Sequence, residues 1–103
     1  MADTFQLEIA TPERRLLDAA VTEAQWPGQN GYMGVLPGHA PLVSALGVGV
    51  LTYFGGAGIG RGVMRIEGGF VEVLNDHVRV LADQAESVQD TQNSGTKSSG
   101  LNP

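Results

Sequence analysis

The chain has 103 residues, 42% of them hydrophobic, with no cysteine and a net charge of −5. A chain of that size supports one domain with a thin core, burying about 60 to 65% of its unfolded surface. The lack of cysteine excludes disulfides, thiol catalysis and cysteine-based zinc sites and fits a reducing compartment, while Arg14, Arg15, Arg61, Arg65, Arg79 and Lys97 form no basic stripe, which argues against nucleic acid and direct docking on anionic lipid.

At the start, acids come early and no apolar run has signal-peptide length. Phe5, Leu7 and Ile9 alternate with Gln6, Glu8 and Ala10, the period-two pattern of a half-buried strand, and Thr11-Pro12 ends it. Short β runs follow at 16–18, 21–26, 32–36, 42–46, 48–54, 61–67, 70–74 and 77–81. Pro27-Gly28, Asn30-Gly31, Gly55-Gly56, Gly68-Gly69 and Asn75-Asp76 read as the turns between them, the last a tight hairpin. The sum predicts an all-β fold, a small antiparallel sandwich or flattened barrel of about eight to ten short strands. No segment approaches the roughly 18 apolar residues of a membrane-spanning helix, so the expectation is a soluble protein that meets a membrane only through another protein.

The run 31–41, GYMGVLPGHAP, is a shaped segment. Pro37 and Pro41 fix their own φ and hold Leu36 and Ala40 extended, while Gly34 and Gly38 allow turns or close backbone approach. Two readings stay open, an ordered docking loop and an ordinary connection between strands. Further on, GGAGIGRG at 55–62 fails as a nucleotide loop. Arg61 stands where a third glycine is needed and no Lys-Ser or Lys-Thr pair follows, so a hairpin connection and no ATP binding are expected. From Glu86 the sequence turns to Ser, Gln, Asn, Gly and Thr, which cannot offset its ordering entropy by burial. The expected organisation is therefore a β domain over 1–85 and a flexible polar tail over 86–103.

Candidates for chemistry are few. His39 and His77 lack a second ligand at metal spacing, which argues against zinc. Ser44 lies near His39 in sequence but has no nucleophile elbow or acid to complete a triad. Glu67 and Glu72, flanking Gly68-Gly69, read as solvated carboxylates. For Trp26, Tyr32, Tyr53 and Phe54 two readings stay open: aromatic anchors at an interface near the ends of the sandwich, or all four completing a small core.

The motif order GYMGVLPGHAPLVSAL from Gly31, GGFVEV from Gly68 and VRVLAD from Val78 resembles the epsilon subunit of F-type ATP synthases, called delta in mitochondria, over roughly residues 4–85. The resemblance implies a non-catalytic rotor subunit of the central stalk, linking the γ subunit to the membrane c-ring so that proton-driven rotation is coupled to ATP synthesis. By motif position, Thr11, His39 and Ser44 would face γ. Gln29, Asn30, Gly31, Tyr32 and Met33 would rest on the c-ring, with Gly34, Pro37, Gly38, Pro41, Gly68 and Gly69 shaping the frame. It further implies a peripheral place on the cytoplasmic face of a bacterial plasma membrane, allows a contact with the catalytic β subunit, and leaves no cofactor, metal or small-molecule ligand.

Two departures from the family stand out. Its members often carry an acidic residue where this chain has Tyr32, so the ring contact would be aromatic and hydrogen-bonded, or displaced to Gln29 and Asn30. They also continue into a two-helix hairpin that restrains ATP hydrolysis, and the polar tail offers none, so coupling without that inhibition is expected. The competing readings are a free-standing sandwich that binds carbohydrate or peptide, which needs an exposed aromatic platform, and a cupin-like or hydrolytic barrel, which needs clustered His and carboxylate.

Overall fold

The computed structural model describes residues 4–55 and 60–88; part of the expected hairpin connection, 56–59, and the expected tail from 89 onward lie outside the described residues. Seven strands follow one another: β1 (Phe5–Ala10), β2 (Arg15–Gly28), β3 (Gly31–Val35), β4 (Leu42–Ala45), β5 (Val48–Gly55), β6 (Arg61–Leu74) and β7 (His77–Ser87). Among the described residues there is no helix.

The strands run in the order β1-β7-β6-β5-β2, and β1 also pairs β2, so five of them close into a ring. β1 and β7 are parallel and the other pairs antiparallel. β3 hangs on the far half of β2 and β4 on the far half of β6.

Strands are fewer and longer than the sequence suggested, because two expected breaks are corners inside a continuous strand. In β2 the buried positions run through Val21, then shift parity to Ala24 and Trp26, and the pairing with β5 slips between Val21 and Glu23. This is a β-bulge, and Thr22 Oγ1 donates to the Phe54 carbonyl at 3.0 Å beside it. In β6 the buried Met64 and Ile66 give way to Val71 and Val73, and the shift falls at Gly68-Gly69. Their φ values of 69° and 116° reverse the pleat without breaking the ladder. Backbone bonds continue across the corner, from Leu46 N to the Gly69 carbonyl at 2.8 Å and from Gly68 N to the Gly47 carbonyl at 3.0 Å.

Gly68-Gly69 is therefore a bend and not a turn, and Glu67 and Glu72 lie along one strand: Glu67 pairs with Val48 and Gln84, Glu72 with Val43 and Arg79. The bend also explains why GGF and VLAD occur together. Gly69 pairs Ala82, Phe70 pairs Leu81 and Val71 pairs Val80, so the two motifs are cross-strand partners at one corner. The last expected turn is observed as read: Asn75 and Asp76 have φ of 52° and 58°, the left-handed pair of a tight two-residue hairpin between Leu74 and His77.

β7 runs through Glu86 and Ser87, past the domain boundary expected at 85, because both pair with β6, at Arg65 and Met64. Ladder hydrogen bonds hold a polar strand end that burial alone would not. The core between the two layers is Phe5, Leu7, Ile9, Val21, Ala24, Trp26, Val35, Leu46, Leu51, Met64, Ile66, Val71, Val73, Val78, Val80 and Ala82, with no polar or charged side chain buried among the described residues.

Candidate functional site

The 36–41 loop is tied to the β6–β7 hairpin. Gly38, at φ of 86°, donates its backbone N–H to the Asp76 carboxylate at 2.6 Å, and the Asp76 carbonyl accepts from Gln6 N at 2.9 Å. One turn residue thus joins the loop, the hairpin and β1. His39 N donates to the Leu36 carbonyl at 3.2 Å, and its ring Nδ1 lies 2.7 Å from the Ala40 carbonyl. A carbonyl only accepts, so Nδ1 carries the proton and Nε2 is the acceptor in the neutral ring. His39 is exposed on this ordered loop.

From that loop a sheet face opens outward across β4, β6, β7 and β1. Its first row is Ala45, Phe70, Leu81 and Ala10, paired in that order. The second is Val43, Glu72, Arg79, Glu8 and, on β2, Asp18; the third is Leu74, His77, Gln6 and Ala20. Val43, Phe70 and Leu81 are 71%, 59% and 47% exposed, so three apolar side chains stand open on this face. At the centre sits Glu8, whose side chain is only 13% exposed. Arg15 Nε, His77 Nε2 and Arg79 Nε lie 3.2, 3.4 and 3.5 Å from its oxygens, and Arg15 also reaches Asp18 at 3.2 Å. The face is thus an apolar band beside a neutralised ionic row, fit for protein and not for a polyanion.

Of the three residues expected to face γ, two flank this face. His39 adjoins the Asp76 turn at one end, and Thr11, following Ala10, lies at the other, where its N–H donates to the Arg14 carbonyl at 2.9 Å. Thr11 also borders an open cleft of about 470 Å³ with Arg14, Arg65, Glu67 and Asp83. Ser44 points elsewhere. It pairs with buried Val71, and its Oγ lies 3.6 Å from Met33 Sδ, so its neighbour Val43 takes the outward place on β4. Val43, Phe70, Leu74 and Leu81 were not singled out from the sequence. A signal existed: Leu42-Val43, Phe70-Val71, Val73-Leu74 and Val80-Leu81 put apolar residues on both faces of their strands, as expected of strands covered on both sides.

The residues expected on the c-ring form the tip of the β2–β3 hairpin. Gly28 pairs Gly31, so Gln29 and Asn30 are the two loop residues, and Gly31 has a φ of 127°. With Ser44 and Ala45 the tip borders a hollow of about 210 Å³. Ser44 and Met33, expected at two different interfaces, are in fact neighbours. The four aromatic residues split between their two readings. Trp26 is fully buried, its Nε1 without a hydrogen-bond partner, and Tyr53 packs on the core in the space left by Gly62, whereas Tyr32 is 56% exposed and Phe54 is also exposed.

Residues 4–88 match the family model for the ATP synthase, Delta/Epsilon chain, beta-sandwich domain. The chain is 56% identical over 90 residues to the ATP synthase epsilon chain of Solibacter usitatus, covering 87% of this chain and 66% of that one. It is 44% identical over 89 residues to the epsilon chain of Koribacter versatilis, covering 84% and 59%. The chain thus spans 59 to 66% of the length of these two relatives. A chain in the cryo-EM structure of the Euglena gracilis mitochondrial ATP synthase, OSCP/F1/c-ring, superposes with a TM-score of 0.77 at 25% identity, over 84% of this chain and 55% of that one. One in the central stalk/c-ring structure of the Tetrahymena thermophila mitochondrial ATP synthase shares the fold, with a TM-score of 0.66 at 11% identity over 89% and 72%.

Proposed function

We propose that this chain, which belongs to the ATP synthase delta/epsilon family, works as a central-stalk subunit that joins γ to the c-ring and supplies no catalytic group. The observation that carries this reading is the apolar band Val43, Phe70 and Leu81 on the outer face of β4, β6 and β7, bordered by His39 and Thr11. That face docks on γ, and the 29–33 tip rests on the c-ring. The chemistry is mechanical. Proton flow turns the ring, and a sheet closed on itself passes the torque to γ because a closed ladder resists shear between its strands. The subunit sits on the cytoplasmic face of a bacterial plasma membrane, held there by its partners.

Bacterial epsilon relatives and the match to a chain in an F1/c-ring assembly support the reading. Its test is co-elution of the purified chain with a γ-containing catalytic core stripped of its own small subunit. Stoichiometric binding, lost in Phe70→Glu, is the expected outcome. A folded chain that fails to bind would refute it.

A further inference from the structure

The β2–β3 hairpin carries a local problem in its backbone bonding. Pro27 lies within β2 where β5 should continue the ladder beyond the Gln25–Thr52 pair, and that register would bring Val50 opposite position 27. Proline has no N–H to give. Its carbonyl is already taken, accepting from Gly47 N at 2.9 Å. Val50 N therefore faces β2 without the carbonyl acceptor that a regular ladder would provide, and an unmet backbone donor is costly.

The bond is made from the next strand over. Tyr32, paired with Pro27 on β3, crosses the proline, and its hydroxyl accepts the Val50 N–H at 3.0 Å. Gly49 leaves the space: a β-carbon there would collide with the Tyr32 hydroxyl and stand 2.9 Å from Pro27 Cβ. Pro27, Tyr32, Gly49 and Val50 thus form one device, in which a side-chain oxygen replaces a missing ladder acceptor.

We infer that Tyr32 is a positioning residue, whose hydroxyl clasps the β2–β3 hairpin to β5 and so fixes the attitude of the 29–33 tip. The consequence for docking rests on the ring contact proposed above; the clasp itself does not. Tyr32 then serves the ring through the pose of Gln29 and Asn30, with its own oxygen engaged inside the chain.

The experiment is amide hydrogen exchange on the 103-residue chain and on Tyr32→Phe, which keeps the ring and removes the oxygen. Val50 protection, read as its ratio to Val71 on the far half of β6, should fall about three- to tenfold, the range of one net hydrogen bond. The ratio is used so that uniform loosening of the domain does not imitate the effect. An unchanged ratio overturns the clasp. Binding of both chains to isolated c-ring in detergent is measured in parallel, with a several-fold weaker Tyr32→Phe complex expected. Equal binding alongside lost Val50 protection overturns the positioning role. No binding by either chain refutes the ring reading and its positioning corollary, while the exchange result still decides the clasp.

Discussion

Gly69→Ala tests the corner that aims Phe70 and Leu81 outward, and its cost can be assembled from the structure. The residue has a φ of 116°, where an L side chain is strained by about 1 to 3 kcal/mol. Its new β-carbon would also overlap the Leu81 carbonyl oxygen and lie 2.8 Å from Ala82 Cα. Both are backbone atoms of β7 and cannot rotate aside as a side chain would, so relief means parting β6 from β7 along the most extensive pairing in the fold. Together these terms reach at least about 3 kcal/mol, a large part of the roughly 5 to 15 kcal/mol that holds a domain. At about 4 to 8 °C per kcal/mol for a domain of this size, Tm should fall by about 12 to 24 °C.

Thermal unfolding followed by circular dichroism measures this, with two comparison variants. Gly31→Ala meets the same strained region, at φ of 127°, but has nothing within 4 Å, so it should lose the conformational part alone. Gly34→Ala has ordinary φ and its nearest contact at 3.7 Å, so it should match or slightly exceed the parent. A Gly69→Ala protein that melts within about 4 °C of the parent, or no lower than Gly31→Ala, would show that the bend is not held by steric closure at this glycine.

Phe70→Glu should leave stability within about 0.5 kcal/mol, because the side chain is exposed, yet weaken γ binding by more than about tenfold; retained affinity moves the interface off this face. Asp76→Gly keeps the left-handed turn but removes the acceptor of Gly38 N, so Gly38 amide exchange should quicken about tenfold; an unchanged rate would mean the loop holds itself. Glu8→Gln leaves Arg15, His77 and Arg79 without their shared carboxylate. Since those partners are roughly half exposed, the loss should be only about 0.5 to 1.5 kcal/mol in denaturant titration and should shrink in high salt, and a salt-independent loss would point to packing instead.

Much of the site was legible by residue but not by direction. Asn75-Asp76 could be read because two left-handed residues between alternating strands have few other uses. The 29–33 tip was likewise marked by Asn30-Gly31. Gly68-Gly69 misled: a glycine pair signals backbone freedom, and whether that freedom makes a turn or a bend depends on whether a neighbouring strand continues past it. Here β7 runs along β6 past the pair, while β5 and β4 flank β6 before and after it. Ser44 was placed at an interface by its position in a motif, while the register turned it toward Met33 and gave the outer face to Val43. Tyr32 read as a surface aromatic, and nothing local to it reveals Val50, which lies 18 positions away.

By itself the sequence determined the fold class, the family and the residues of the loops, since period-two alternation, proline and glycine chemistry and motif order are properties of neighbours along the chain. The tertiary structure alone decided which strands are continuous, which apolar side chains face outward, and what Tyr32 does. Those facts depend on pairing register, and register is settled by hydrogen bonds and core burial between segments far apart in sequence, where a shift of one residue exchanges the two faces of a strand.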